Sequence, residues 1–145
     1  MKTIKMLNLI LSFGILLAAC SKTKSDSPAP STPEESLKQS RWQVTYYEER
    51  GKNETDKFNG YTLIFEDNGT FIFKIKSQSF TGKWSIEDRS DDSDPYQSKL
   101  VLWITGNNTA DELQDDWYIL DSSDNLIRLH DDNTNHTEIL EIKKL

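Results

Sequence analysis

Few residues in this chain are equipped for chemistry. Its two histidines, His130 and His136, bracket Asp131-Asp132-Asn133-Thr134-Asn135. Imidazole and carboxylate both ligate zinc, so His130, His136, Asp131 and Asp132 could share a metal. The third spaced His or Cys that such sites usually show is missing, and the segment reads more simply as a solvated hairpin end. The run Asp88-Arg89-Ser90-Asp91-Asp92-Ser93-Asp94-Pro95 sets carboxylates at alternate positions, as calcium loops do. It lacks the Gly and the closing Glu of an EF-hand and reads as a solvated connection. No Ser-His-Asp arrangement can be argued, and no Gly-rich phosphate loop follows a strand. Neighbouring carboxylates such as Asp115 and Asp116 are expected by chance where 24 of 145 residues are acidic. The sequence therefore assigns no catalytic residue, metal or cofactor, and an enzyme is not expected.

The aromatic residues carry more signal. Trp42, Trp84, Trp103 and Trp117 all fall in strand-like segments. Bulky rings fill a small β domain, and Trp42 and Trp84 read as such filling. Trp103 is out of phase with Leu100, Leu102 and Ile104, so it should face the other side of its strand. There an exposed indole would mark a contact surface.

The sole cysteine, Cys20, ends the run Leu17-Ala18-Ala19-Cys20. Upstream stand Lys2 and Lys5, then an apolar stretch from Met6 to Ala19. That stretch suits a signal-peptide core and is short of the about 20 apolar residues a membrane-spanning helix needs. The four residues resemble the lipobox of bacterial lipoproteins. The resemblance implies cleavage before Cys20, a diacylglyceryl group on its thiol and acylation of its new amine. Residues Met1–Ala19 would be the signal peptide, and the partner at Cys20 would be a membrane. Lipidation consumes the only thiol, so the domain must hold together without disulfides.

Cleavage leaves 126 of the 145 residues and takes the net side-chain charge from −7 to −9. A chain so acidic, with no basic stripe, is a poor nucleic-acid binder and is repelled by anionic membrane surfaces. The lipid would hold the protein at the bilayer while the charge keeps the domain off it.

Residues 20–32 are rich in Ser, Thr, Lys and Pro and read as a flexible tether; 33–145 read as one domain. A short helix is expected over Pro33–Gln39, with Thr32 as N-cap, Pro33 at its first position and Glu34 and Glu35 at its positive end. Eight strands follow by period-2 alternation: Trp42–Glu49, Tyr61–Glu66, Thr70–Lys76, Phe80–Ile86, Lys99–Thr105, Asp116–Leu120, Leu126–His130 and Thr137–Lys143. In the first, Trp42, Val44 and Tyr46 share a face. Thr109–Gln114 could add one helical turn. Short connections at Asp67–Gly69, Ser77–Ser79 and Asp121–Asp124 favour neighbour pairing. An all-β, antiparallel up-and-down barrel follows, with a two-sheet sandwich as the alternative.

Three segments resemble the lipocalin-like domains of bacterial lipoproteins: Ser36-Leu37-Lys38-Gln39-Ser40-Arg41-Trp42, Tyr61–Phe71 with its Asp67-Asn68-Gly69 turn, and Gly82-Lys83-Trp84. The resemblance implies a short helix, then a barrel opened by Trp42, in a protein of the bacterial envelope. It also implies a late-strand cation packed over Trp42, either Arg128 or Lys143. The first strand departs from the family in carrying Ser40-Arg41-Trp42 where a Gly usually starts the triplet.

Two functions of different kinds follow. The first is an envelope lipoprotein, in the outer membrane, that holds a small, partly apolar ligand in the barrel mouth. The second is a non-catalytic accessory protein that meets an envelope protein or a polymer through its outer face. In a meander the helix should cover the end where Trp42 enters. Any cavity should then open at the far end, rimmed by Tyr47, Phe58, Tyr61 and Trp117, unless these rings simply cap a filled barrel.

Overall fold

The computed structural model describes residues 32–38, 40–88, 98–133 and 137–145. Cys20, the signal-peptide and tether segments, Gln39, His136 and most of the acid-rich loop 88–95 lie outside them. Helix α1, Pro33–Lys38, is followed by strands β1 (Arg41–Glu49), β2 (Lys52–Asn53), β3 (Tyr61–Phe65), β4 (Thr70–Ile75), β5 (Gln78–Asp88), β6 (Ser98–Trp103), β7 (Asp116–Ser122), β8 (Leu126–Asp131) and β9 (Glu138–Lys144). A 3₁₀ turn, Thr55–Phe58, lies between β2 and β3, and a four-residue helix α2, Asn108–Asp111, between β6 and β7. Among the described residues no helix is long and apolar enough to cross a membrane.

Eight antiparallel strands close into a lipocalin-like up-and-down barrel. The order runs β1-β3-β4-β5-β6-β7-β8-β9, and β9 pairs back onto β1. Closure leaves the sandwich alternative aside. β2 is a two-residue addition on the far half of β1. Closure joins distant parts of the chain, since Trp42 faces Lys144 and Glu49 faces Glu138.

Apolar side chains line the interior. Leu63, Phe65, Phe71, Phe73, Leu100, Leu102, Ile127, Leu129, Leu140 and Ile142 alternate inward, as the expected phases require. Helix α1 caps the entry end. Leu37 is buried beneath it, and the Trp42 indole N–H donates to the Leu37 carbonyl at 3.0 Å. Thr32 does cap the helix, and Glu35 completes a capping box: Glu35 N–H donates to the Thr32 hydroxyl, and Thr32 N–H to the Glu35 carboxylate.

Three expectations need correction. A bulge between Val44 and Tyr46 inserts one residue into β1, so Tyr47 turns inward and Tyr46 lies on the other face. The β4–β5 hairpin turns at Lys76-Ser77, because Ile75 pairs with Gln78 and Lys76 takes the positive φ of 51° such a tight turn demands. Arg128 does not stack on Trp42. It sits between the inward Ile127 and Leu129, is exposed, and pairs with Glu141 at 2.8 Å; Lys143 is exposed too. The barrel interior at Trp42 is sealed by Leu37, with no cation needed.

Candidate functional site

Two regions bring polar and aromatic groups together. The first is on the outer wall over β4, β5 and β6. Register sets Thr70 beside Lys83 and Lys83 beside Trp103, with Ser85 beside Val101 in the next row. All of these alternate outward, as the sequence phase required of Trp103, which is 53% exposed. The Asp67–Gly69 turn adds Asn68, whose carboxamide oxygen accepts the Thr70 N–H at 2.9 Å and so fixes the side chain. Gly69 has φ +80°, and its carbonyl accepts the Trp84 N–H at 2.9 Å, folding the turn against β5. Trp84 lies beneath, and its indole N–H donates to the Glu66 carbonyl at 3.0 Å. Between these groups runs an open groove of about 440 Å³.

Gly82 shapes this wall from within. A Cβ on it would lie 2.1 Å from the Trp103 carbonyl oxygen and 2.8 Å from the Ile104 Cβ. The Gly-x-Trp triplet therefore lets β6 cross β5 closely, which holds Trp103 to the wall while Ile104 enters the core.

The second region is the far end. Tyr47, Phe58 and Tyr61 do gather there. Tyr47 meets Phe58 edge-on at 5.0 Å, Phe58 meets Phe73 at 6.4 Å, and Tyr61 stacks on Phe73 at 4.2 Å. Phe58 arrives on the 3₁₀ turn and wedges where β1 and β3 part, after pairing only at Arg41–Ile64 and Trp42–Leu63. Trp117 donates its indole N–H to the Leu113 carbonyl at 3.0 Å. Tyr47, Phe58 and Trp117 are each at most 2% exposed, a plug of rings at this end, and Phe58 and Tyr61 also border a cleft of about 240 Å³.

Polar groups lock this plug. The Tyr47 hydroxyl lies 3.2 Å from the buried Glu138 carboxylate and 3.4 Å from Glu112. Burial, then the two carboxylates, push the phenol pKa upward, so it remains a neutral donor. Lys57 pairs with Glu54 and with Glu112, the latter at 3.0 Å, and these bonds raise its pKa. Nothing in the sequence marks Glu112 or Glu138 as partners of Tyr47: the β1–β9 register brings Glu138, and the end of the short helix between β6 and β7 brings Glu112.

Carboxylates also meet on β7 and β8. Asp131 is wholly buried and accepts the Glu138 N–H at 3.0 Å. Asp132 binds Lys99 at 2.6 Å, and Lys99 lies 4.7 Å over the Tyr118 ring. Burial raises the pKa of Asp115, helped by Asp131, Asp132 and Asp116. His130 Nδ1 stands 4.0 Å from Asp131. Among the described residues, no three His, Cys, Asp or Glu side chains are arranged to hold a metal ion.

No protein-family model matches the chain, and no curated protein sequence matches it. Among solved structures it is similar to the crystal structure of a DUF4847 family protein from Bacteroides vulgatus, at 14% identity and a TM-score of 0.51. The match covers 77% of this chain and 96% of that one, and what the two share is the barrel fold.

Proposed function

We propose that this chain is a lipid-anchored envelope protein, held at Cys20, whose barrel displays a contact surface on its outer wall. The observation that supports it most is the contrast between buried interior rings and an exposed Trp103 beside a groove. A carrier of small ligands keeps an open pocket, whereas a barrel packed with its own side chains has its outside to offer. The partner is another envelope protein or a polymer, the role is non-catalytic, and the location is the outer membrane.

The anchor is tested by Cys20→Ser. The variant should leave the membrane fraction almost completely, and pelleting at the wild-type level would refute the anchor. The surface is tested by a photo-crosslinking side chain installed in living cells at Ser85, in the groove, or at exposed Lys143, four strands away around the eight-stranded ring. Adducts are expected from Ser85 and not from Lys143. Equal yields at both positions would sink the assignment.

A ligand-binding reading keeps one observation in its favour. The β1–β3 ladder is two pairs long, and Phe58 fills the parting behind it. If the 3₁₀ turn swung out, Tyr47, Phe58, Tyr61 and Trp117 would line the vacated space for a small, partly apolar molecule.

A further inference from the structure

We infer that the groove beside Trp103 binds an uncharged glycan strand; this rests on the outer-wall reading above and names its partner class. Saccharide rings offer an apolar C–H face and a rim of hydroxyls. The groove offers the complement: one exposed indole as a platform, ringed by an amide (Asn68), two hydroxyls (Thr70, Ser85) and an ammonium (Lys83). An indole presents an apolar body to a ring face while the polar groups around it fix orientation. Lys83, Ser85, Val101 and Trp103 stand on paired strands, so the platform is set in place before a ligand arrives. The volume of about 440 Å³ suits a few linked small rings.

Charge narrows the class. None of the lining residues is acidic and one is cationic, yet the whole chain carries −7. A polyanion approaching this protein is repelled by its net negative charge, which one lysine does not cancel. A neutral chain feels no such repulsion, and Lys83 then serves as a hydrogen-bond donor. A folded protein partner is a poorer fit. Stable interfaces bury about 800 Å² per partner around several aromatic or aliphatic anchors. Among the described residues the exposed large apolar side chains are Trp103, Leu120 and Leu145, and neither leucine lines the groove. One platform suits one narrow strand.

The test uses the full chain in a sugar-free detergent, titrated separately with cellohexaose, maltohexaose and chitohexaose, and followed by tryptophan emission. Trp42 and Trp117 have no exposed surface and Trp84 is 6% exposed at the groove floor, so comparison with Trp103→Ala assigns the response to Trp103. At least one hexaose should give a saturable blue shift in the millimolar range. Trp103→Ala should abolish it with an unchanged far-ultraviolet spectrum, Trp103→Phe should restore part of it, and Lys83→Ala should weaken binding several-fold. No saturable response to any hexaose, or a response that survives Trp103→Ala, overturns the proposal. So does tighter binding of polygalacturonate than of the neutral hexaoses. If the hexaoses fail while Ser85 adducts digest to peptides of one partner protein, the glycan is wrong and the outer-wall reading stands. If both fail, both fall.

Discussion

Trp42→Ala is expected to destabilise the domain by about 3–5 kcal/mol, the range for truncating a large buried aromatic side chain. Trp42 has no exposed surface and stands at the seam where the barrel closes, paired with Leu63 on one side and Lys144 on the other. Its indole N–H is also the bond that ties helix α1, through the Leu37 carbonyl, to the entry end. Removing the ring opens a cavity and unseats the cap together. Trp42→Phe keeps most of the volume and loses only the bond, so it should cost clearly less. Chemical denaturation of both variants checks this; a Trp42→Ala midpoint equal to that of the wild type would show that the ring carries no weight in the core.

Gly82→Ala should do comparable damage with a single added methyl. The obstruction is the Trp103 carbonyl oxygen, 2.1 Å from the new Cβ, with the Ile104 Cβ behind it at 2.8 Å. Overpacking of a core costs about 1–3 kcal/mol when side chains can shift. Here the nearest atom is backbone, so β6 itself must move away from β5, and the cost should sit at about 3 kcal/mol. Two readouts separate this from a generic core defect. The midpoint should fall, and the emission of Trp103 should change in the folded state, because the strand that carries it has been displaced. Unchanged stability and emission would mean that the two strands do not approach as closely as described.

What could be read in advance was whatever depends on alternation. Trp103 against Leu100, Leu102 and Ile104 is a parity argument, and parity placed it outside, where it is. The number and order of the barrel strands followed for the same reason, since short turns leave neighbour pairing as the economical route. Parity fails at bulges. Tyr46 and Tyr47 are adjacent aromatics, so the pattern of β1 looks equally good in either phase, and the extra residue at Thr45 decides between them only through pairing with β9. A second bulge between Ile119 and Asp121 leaves Leu120 exposed on β7. Arg128 follows its own parity between Ile127 and Leu129, which the resemblance to lipocalin-like domains does not take into account. The groove was half legible: Trp103 and Lys83 lie on expected strands, but Asn68 and Thr70 join them only through the register of two hairpins. The locks on Tyr47, and β2 with its 3₁₀ turn, were invisible, since Lys52-Asn53 has no apolar pattern and Glu112 and Glu138 lie 65 and 91 residues from Tyr47.

The seam between β1 and β9 also sets when the protein can fold. Trp42 gains its second strand partner only at Lys144, and the carbonyl bonds that close the barrel include Leu145 N–H to the Arg41 carbonyl. Ring closure therefore waits for the final residues, and contacts of such long sequence separation form slowly. Until β9 arrives, β1 is held only by its two pairs with β3 and two with β2, so refolding should be paced by this one long-range joining rather than by the hairpins.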